Sequence, residues 1–175
     1  MVLAQPAFHC VKAASLAWEA ERRASDTHGW PWEGVLRNKE HCVYSLEEED
    51  EEDEDEARVP RIRALFAARP KLLTLEAGPT LRLDYFQIDP GERGGTLGTF
   101  AFSAFARFCL DRGAEALVLG SLPAEKVVLW YEKRGGARGE PADWKPAKNL
   151  VAVHFSHGKL EELAGYADGL EEANA

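Results

Sequence analysis

The segment Ile88-Asp89-Pro90-Gly91-Glu92-Arg93-Gly94-Gly95-Thr96-Leu97-Gly98-Thr99 constrains this chain more than any other. Before it, residues 81–88 (LRLDYFQI) read as a strand. After it, residues 99–112 form an apolar run in which Phe100, Phe102, Phe105 and Phe108 cover most of one helix, a pattern of core burial. A glycine-rich turn between a strand end and a helix start suits a phosphate. The first N–H groups of a helix have no partner within it, and its dipole is positive there. Glycines let the main chain approach the anion closely, and Arg93 can add a charge-assisted hydrogen bond. The spacing is not that of the G-x-G-x-x-G dinucleotide fingerprint. No Gly-Lys-Ser/Thr follows, so it is not a P-loop either.

The flanking pattern predicts a fold class. Residues 71–76 (KLLTLE) read as a strand, 77–79 as a turn, and 116–119 as a short buried strand. The helix at 99–112 stops at Gly113, and a second helix, 125–134, ends at Gly135-Gly136. A last strand spans 150–155, and 158–172 is helix-prone. This order predicts an α/β (α+β) sheet with helical crossovers, its β-α-β unit running from 81 to 119. Within 81–88, strict alternation puts Leu81, Leu83, Tyr85 and Gln87 on one face and Arg82, Asp84, Phe86 and Ile88 on the other. Upstream the pattern is weaker. Residues 13–24 favour a helix, Trp30-Pro31-Trp32 follows a turn-like cluster, and 42–44 suit a short strand. Pro60 is expected to start a short helix over 61–69. The chain thus reads as one domain: a helical or irregular part at 1–70, a core at 71–157, and a C-terminal helix or tail at 158–175.

The formal charge of −9 is local, because residues 47–56 are ten consecutive acids and the remainder carries +1. Such a run repels itself, and a loop or fraying helix inserted within the domain is expected. Cys10, Cys42 and Cys109 form no C-x-x-C pair, and Cys109 sits in the apolar run as a core residue. His9, His28, His41, His154 and His157 show no metal-ligand spacing. No basic, apolar leader or long apolar span is present, so a cytoplasmic protein without membrane contact is expected.

Residues 90–99 resemble the pyrophosphate loop of GNAT-type N-acetyltransferases, Arg/Gln-x-x-Gly-x-Gly/Ala, with Arg93 at the first position and Gly98 at the last. Thr96 replaces the first motif glycine. At matching distance, Val127-Val128-Leu129-Trp130-Tyr131-Glu132-Lys133-Arg134-Gly135 is similar to that family's A-x-x-L-Y-E-K-x-G-F helix. Two positions depart: Ala124 stands where an asparagine is frequent, and Gly136 where a phenylalanine closes the motif. The resemblance covers about residues 81–155.

It implies an acyl-CoA N-acyltransferase-like fold with a mostly antiparallel sheet, and acetyl-CoA as co-substrate. It implies that main-chain groups around Phe86 and Ile88 hold the pantetheine arm. Arg93, Gly94, Gly95, Thr96, Leu97, Gly98 and Thr99 would hold the pyrophosphate, and the Ile88 N–H would stabilise the developing oxyanion. Tyr131 becomes the acid that protonates the leaving thiolate, and Asp84 the candidate base. The acceptor is expected to be an amine of a small molecule or protein. Direct nucleic-acid binding is not expected, and a homodimer is compatible with the sequence. The departures at Thr96, Ala124 and Gly136 also fit a second reading, a catalytically decayed module that engages a basic partner through its acidic run.

Overall fold

The computed structural model describes residues 9–10, 34–35, 38–48, 61–89, 95–139, 141 and 143–174. In chain order the described elements are β1 (His9–Cys10), β2 (Cys42–Glu48), β3 (Arg61–Ala68), β4 (Leu73–Leu75), β5 (Gly78–Ile88), α1 (Leu97–Asp111), β6 (Ala116–Ser121), α2 (Glu125–Glu132), β7 (Ala137–Arg138), β8 (Val151–Ser156) and α3 (His157–Asn174). The sheet runs β1-β2-β3-β5-β6-β8-β7, with β4 paired to β5. Every pairing is antiparallel except β5 with β6, the two strands that α1 connects. This is the expected mixed, mostly antiparallel α/β sheet with a β-α-β unit.

The helix expected at 61–69 is instead strand β3. The segment RIRALFAAR contains good helix formers, but Arg63 through Ala68 are all buried between β2 and β5. A central strand covered on both faces loses the alternation that would reveal it, and tertiary packing overrides weak propensity. Glu47 and Glu48 also depart from expectation: they close β2, opposite Ile62 and Arg61. The rest of the acidic run, the helix expected at 13–24 and Trp30-Pro31-Trp32 lie outside the described residues.

Both glycine stops hold. At the end of α1, Gly113 has φ 75°, its N–H donates to Leu110, and the Ala114 N–H donates to Cys109. At the end of α2, Gly135 has φ 87°, its N–H donates to Glu132, and the Gly136 N–H donates to Tyr131. Each is a Schellman arrangement, in which only glycine adopts the left-handed turn without steric cost.

One aromatic chain joins sheet to helices. Phe66 of β3 stacks between Phe86 of β5 and Phe105 of α1, with centroids 4.7 and 4.6 Å away. Phe102 of α1 meets Trp130 and Tyr131 of α2 and Phe155 of β8. These rings belong to a core that also holds Leu81, Leu83, Leu117 and Leu119 from the sheet and Leu160 and Leu163 from α3. Val118, one step out of phase on β6, joins Trp144 and Ala152 in a separate cluster on the opposite face. Cys109 is fully buried, as expected, and burial raises its thiol pKa. No helix among the described residues is long and apolar enough to cross a membrane.

Because Phe102 touches three elements and is fully buried, Phe102→Ala is expected to lower unfolding free energy by about 3–5 kcal/mol. Urea denaturation with an unchanged m-value checks this; a loss below about 1 kcal/mol would contradict the packing described.

Candidate active site

The site is built on an irregularity in β5. Tyr85 pairs with Ala67 of β3 and Leu83 pairs with Ala68, so Asp84 is an extra residue with no place in the β3 ladder. Such a bulge shifts the side-chain phase by one. It overturns the alternation expected for 81–88: Leu81, Leu83, Phe86 and Ile88 all join the core beneath α1, while Arg82 and Asp84 bond to each other away from it. Asp84 therefore does not share a face with Phe86 and Ile88. A bulge is invisible to period-two counting, because the sequence LRLDYFQI contains no glycine or proline to mark it.

Main-chain directions follow the same shift. The Arg82 carbonyl accepts from the Arg69 N–H, and the Asp89 N–H donates to the Arg63 carbonyl, both toward the β3 edge. Alternation back from Asp89 turns the amides of Phe86 and Ile88 to the other edge. On that edge β6 pairs with β5 only over Thr80–Leu83, against Ala116–Leu119. Beyond Leu83 the two parallel strands part. The cleft between them has a volume of about 80 Å³, and Tyr85, Phe86, Gly120, Ser121, Val127 and Tyr131 are among the residues lining it. Tyr131 thus lines the gap between β5 and β6. It is buried, and desolvation pushes its phenol well above the usual tyrosine pKa, with the nearby Arg134 charge opposing in part. A phenol so placed holds its proton through neutral pH.

The start of α1 points at the same region. Thr96 is its N-cap residue and accepts the N–H groups of Thr99 and Phe100 through its carbonyl, yet its hydroxyl makes no capping bond. Leu97 and Gly98 open the helix, where main-chain donors are without internal partners. Gly95 and Thr96 are exposed, whereas Gly98 is buried beside Ile88 and Trp130. Arg93 and Gly94 lie outside the described residues.

Arg134 is a cation at a position the helix motif leaves unspecified. Its guanidinium lies 3.6 Å from the Trp130 ring centroid, and it donates to the Trp130 carbonyl and to Thr99 Oγ1. It therefore brings a positive charge to the first turn of α1, and partial burial lowers its pKa. Only the folded proximity of α2 to α1 reveals this; the two residues are 35 positions apart.

A larger cavity, about 260 Å³, adjoins the cleft through Asp84, Tyr85 and Gly120, which line both. His41, Arg69, Arg82 and Trp144 also line it. Asp84 is its electrostatic centre. Its Oδ2 accepts from His41 Nε2 and Arg69 Nε at 2.8 Å each, and its Oδ1 accepts from Arg82 Nε at 2.6 Å. Arg69 reaches on to Glu40, whose carboxyl it holds below the ordinary range. No cluster of metal-ligating side chains occurs among the described residues.

No protein-family model and no curated protein matches this sequence. Solved structures do match its fold. A protein of the GNAT acetyltransferase family from Desulfovibrio desulfuricans superposes with TM-score 0.59 at 12% identity, over 86% of this chain and 97% of that one. The ribosomal-protein-S18-alanine N-acetyltransferase of Escherichia coli gives TM-score 0.54 at 13% identity, over 85% and 88%. AtaTR bound with acetyl-CoA gives 0.53 at 18%, over 93% and 90%. The chain has the GNAT-type acyl-CoA N-acyltransferase fold, and its structural neighbours are acetyltransferases.

Ultraviolet titration of the folded protein should show one tyrosine still protonated where free tyrosine, with pKa about 10, is largely ionised; Tyr131→Phe should remove that late component. Since the folded pKa is raised, the unfolded chain loses this proton first, and stability should fall as pH climbs above about 10. Gly136 has no space for a side chain, since a Cβ there would lie 2.8 Å from Phe155 and from Val153. Gly136→Phe, which restores the motif residue, should therefore lower Tm; an unchanged melting curve would contradict the packing.

Proposed function

We propose that this chain is an N-acetyltransferase that moves an acetyl group from acetyl-CoA to an amine of a small molecule or protein. The observation that carries this is the parting of β5 from β6 with Tyr131 lining the gap. The residues around the cleft suit an acyl-CoA. The Phe86 and Ile88 amides offer donors and acceptors to a pantetheine arm. The turn into α1, from Gly95 to Gly98, offers N–H groups to a pyrophosphate, with the Thr96 hydroxyl, which makes no capping bond, beside them. Arg134 supplies a cation at that turn in addition to Arg93.

In this reading the acceptor amine, neutral when it attacks, forms its bond to the thioester carbonyl carbon as the carbon–sulfur bond breaks. The Ile88 N–H stabilises the oxyanion that develops. Tyr131 gives its proton to the departing thiolate. Asp84, the carboxylate first considered for the amine proton, is occupied by three donors. A binding module with a lapsed cofactor site is the competing reading, favoured by Thr96 in the loop and by Trp130 packed close to Gly98. Turnover of acetyl-CoA with any member of an amine panel would eliminate it.

Acetyl-CoA at about 100 times its Kd is expected to stabilise the fold by about 2.7 kcal/mol, which raises Tm by several degrees. Tyr131→Phe should keep that shift but slow acetyl transfer, read as free CoA thiol against an amine panel, by roughly 10²-fold or more. No thermal shift at millimolar acetyl-CoA, or full activity in Tyr131→Phe, would overturn the proposal.

A further inference from the structure

We propose that His41 is the general base of this acetyl transfer, oriented by Asp84, and that the cavity they line seats the acceptor amine; the inference rests on the acetyltransferase reading above. His41 is 6% exposed and its Nε2 lies 2.8 Å from Asp84 Oδ2. An ionised carboxylate only accepts hydrogen bonds, so Nε2 carries a ring proton, and in the neutral ring Nδ1 keeps its lone pair. Nδ1 is buried and has no hydrogen-bond partner among the described residues. A purely structural histidine buried this deeply normally satisfies both ring nitrogens. An aspartate on one nitrogen and a bare second nitrogen is the arrangement of an oriented base.

Asp84 is poorly suited to take the proton itself. Two guanidiniums and the imidazole already use its oxygens, and both arginines favour its charged form. Its effect is to fix the tautomer of His41 and to stabilise the imidazolium once formed. Asp84 is thus a positioning residue, and His41 the catalytic one.

Placement supports the assignment. Asp84, Tyr85 and Gly120 separate the cavity of His41 from the cleft of Tyr131 and line both. An amine in the cavity and a thioester in the cleft would meet across the gap between β5 and β6. Trp144 also lines the cavity; it is buried, and its indole N–H has no partner among the described residues. One bare acceptor and one bare donor fit a primary amine that carries a carbonyl oxygen nearby, the chemistry of an aminoacyl amide or peptide N-terminus. In the step, the amine nitrogen bonds to the acetyl carbon and loses its extra proton to His41 Nδ1. The carbon–sulfur bond breaks, the thiolate takes the Tyr131 proton, and solvent returns a proton to Tyr131 and removes one from His41.

The test uses the full chain labelled with 15N-histidine, with glycinamide as the probe amine. Long-range proton–nitrogen spectra should show His41 as the Nε2–H tautomer with bare Nδ1, and glycinamide should move the Nδ1 resonance. His41→Gln should keep the thermal shift with acetyl-CoA while kcat/KM for glycinamide falls about 10²-fold or more. The acid limb of its pH profile should vanish. Asp84, Glu40, Arg69, Arg82 and the Tyr85 phenol also face the His41 ring, so loss of that limb in His41→Gln alone assigns it. Asp84→Asn should keep KM closer to wild type than kcat and scramble the tautomer; should it fail to fold, His41→Gln carries the test. An Nδ1–H tautomer, an unchanged pH profile in His41→Gln, or wild-type protein that binds acetyl-CoA without acetylating glycinamide would overturn the inference. Failure of the wild type to bind acetyl-CoA would instead overturn the acetyltransferase reading itself.

Discussion

The extra residue that Asp84 inserts into β5 is the constraint on which the site depends. Without it, Phe86 and Ile88 would turn away from α1 with Arg82 and Asp84, and Tyr85 and Gln87 would face the core in their place. With it, β5 keeps its core contacts on both sides of the irregularity, from Leu81 and Leu83 to Phe86 and Ile88. The bend carries β5 away from β6 just past Leu83. A parallel pair that separates in this way leaves main-chain groups facing a gap, and groups of that kind need a partner, from solvent or from a ligand. The two faces of the gap then differ: aromatic and apolar on the side of Phe86 and Tyr131, charged on the side of Asp84.

The charged side is held by one carboxylate. Arg82 belongs to the same strand, Arg69 follows β3, and His41 precedes β2. Their convergence ties three neighbouring segments to the bulge. A carboxylate with 11% of its side chain exposed is costly to desolvate, and paired donors offset that cost. The apolar side is held by rings instead, through Phe66, Phe86, Phe102, Trp130 and Tyr131. The gap is thus supported rigidly on both sides.

Much of the second half of the molecule was legible in the sequence. Gly113 and Gly135 announced both helix ends, because a left-handed turn there has few other solutions. The element order from residue 71 predicts the β-α-β unit, and the helix expected at 125–134 is α2, which carries Tyr131. Three things were not legible. Strand β3 is buried on both faces, so its alanines and leucine mimic a helix. The bulge at Asp84 leaves no compositional mark and inverts the expected faces beyond it. His41 and Trp144 reach their sites only through tertiary folding, from segments with no motif of their own, and Arg134 stands at a position its motif leaves unspecified.

A structure of the full chain solved with acetyl-CoA tests the central claim most directly. The pantetheine amides should bond to the main chain of Phe86 and Ile88, the pyrophosphate should rest on the first turn of α1, and sulfur should lie within hydrogen-bonding reach of the Tyr131 hydroxyl. Acetyl-CoA bound elsewhere, or β5 and β6 zipped together beyond Leu83, would contradict it.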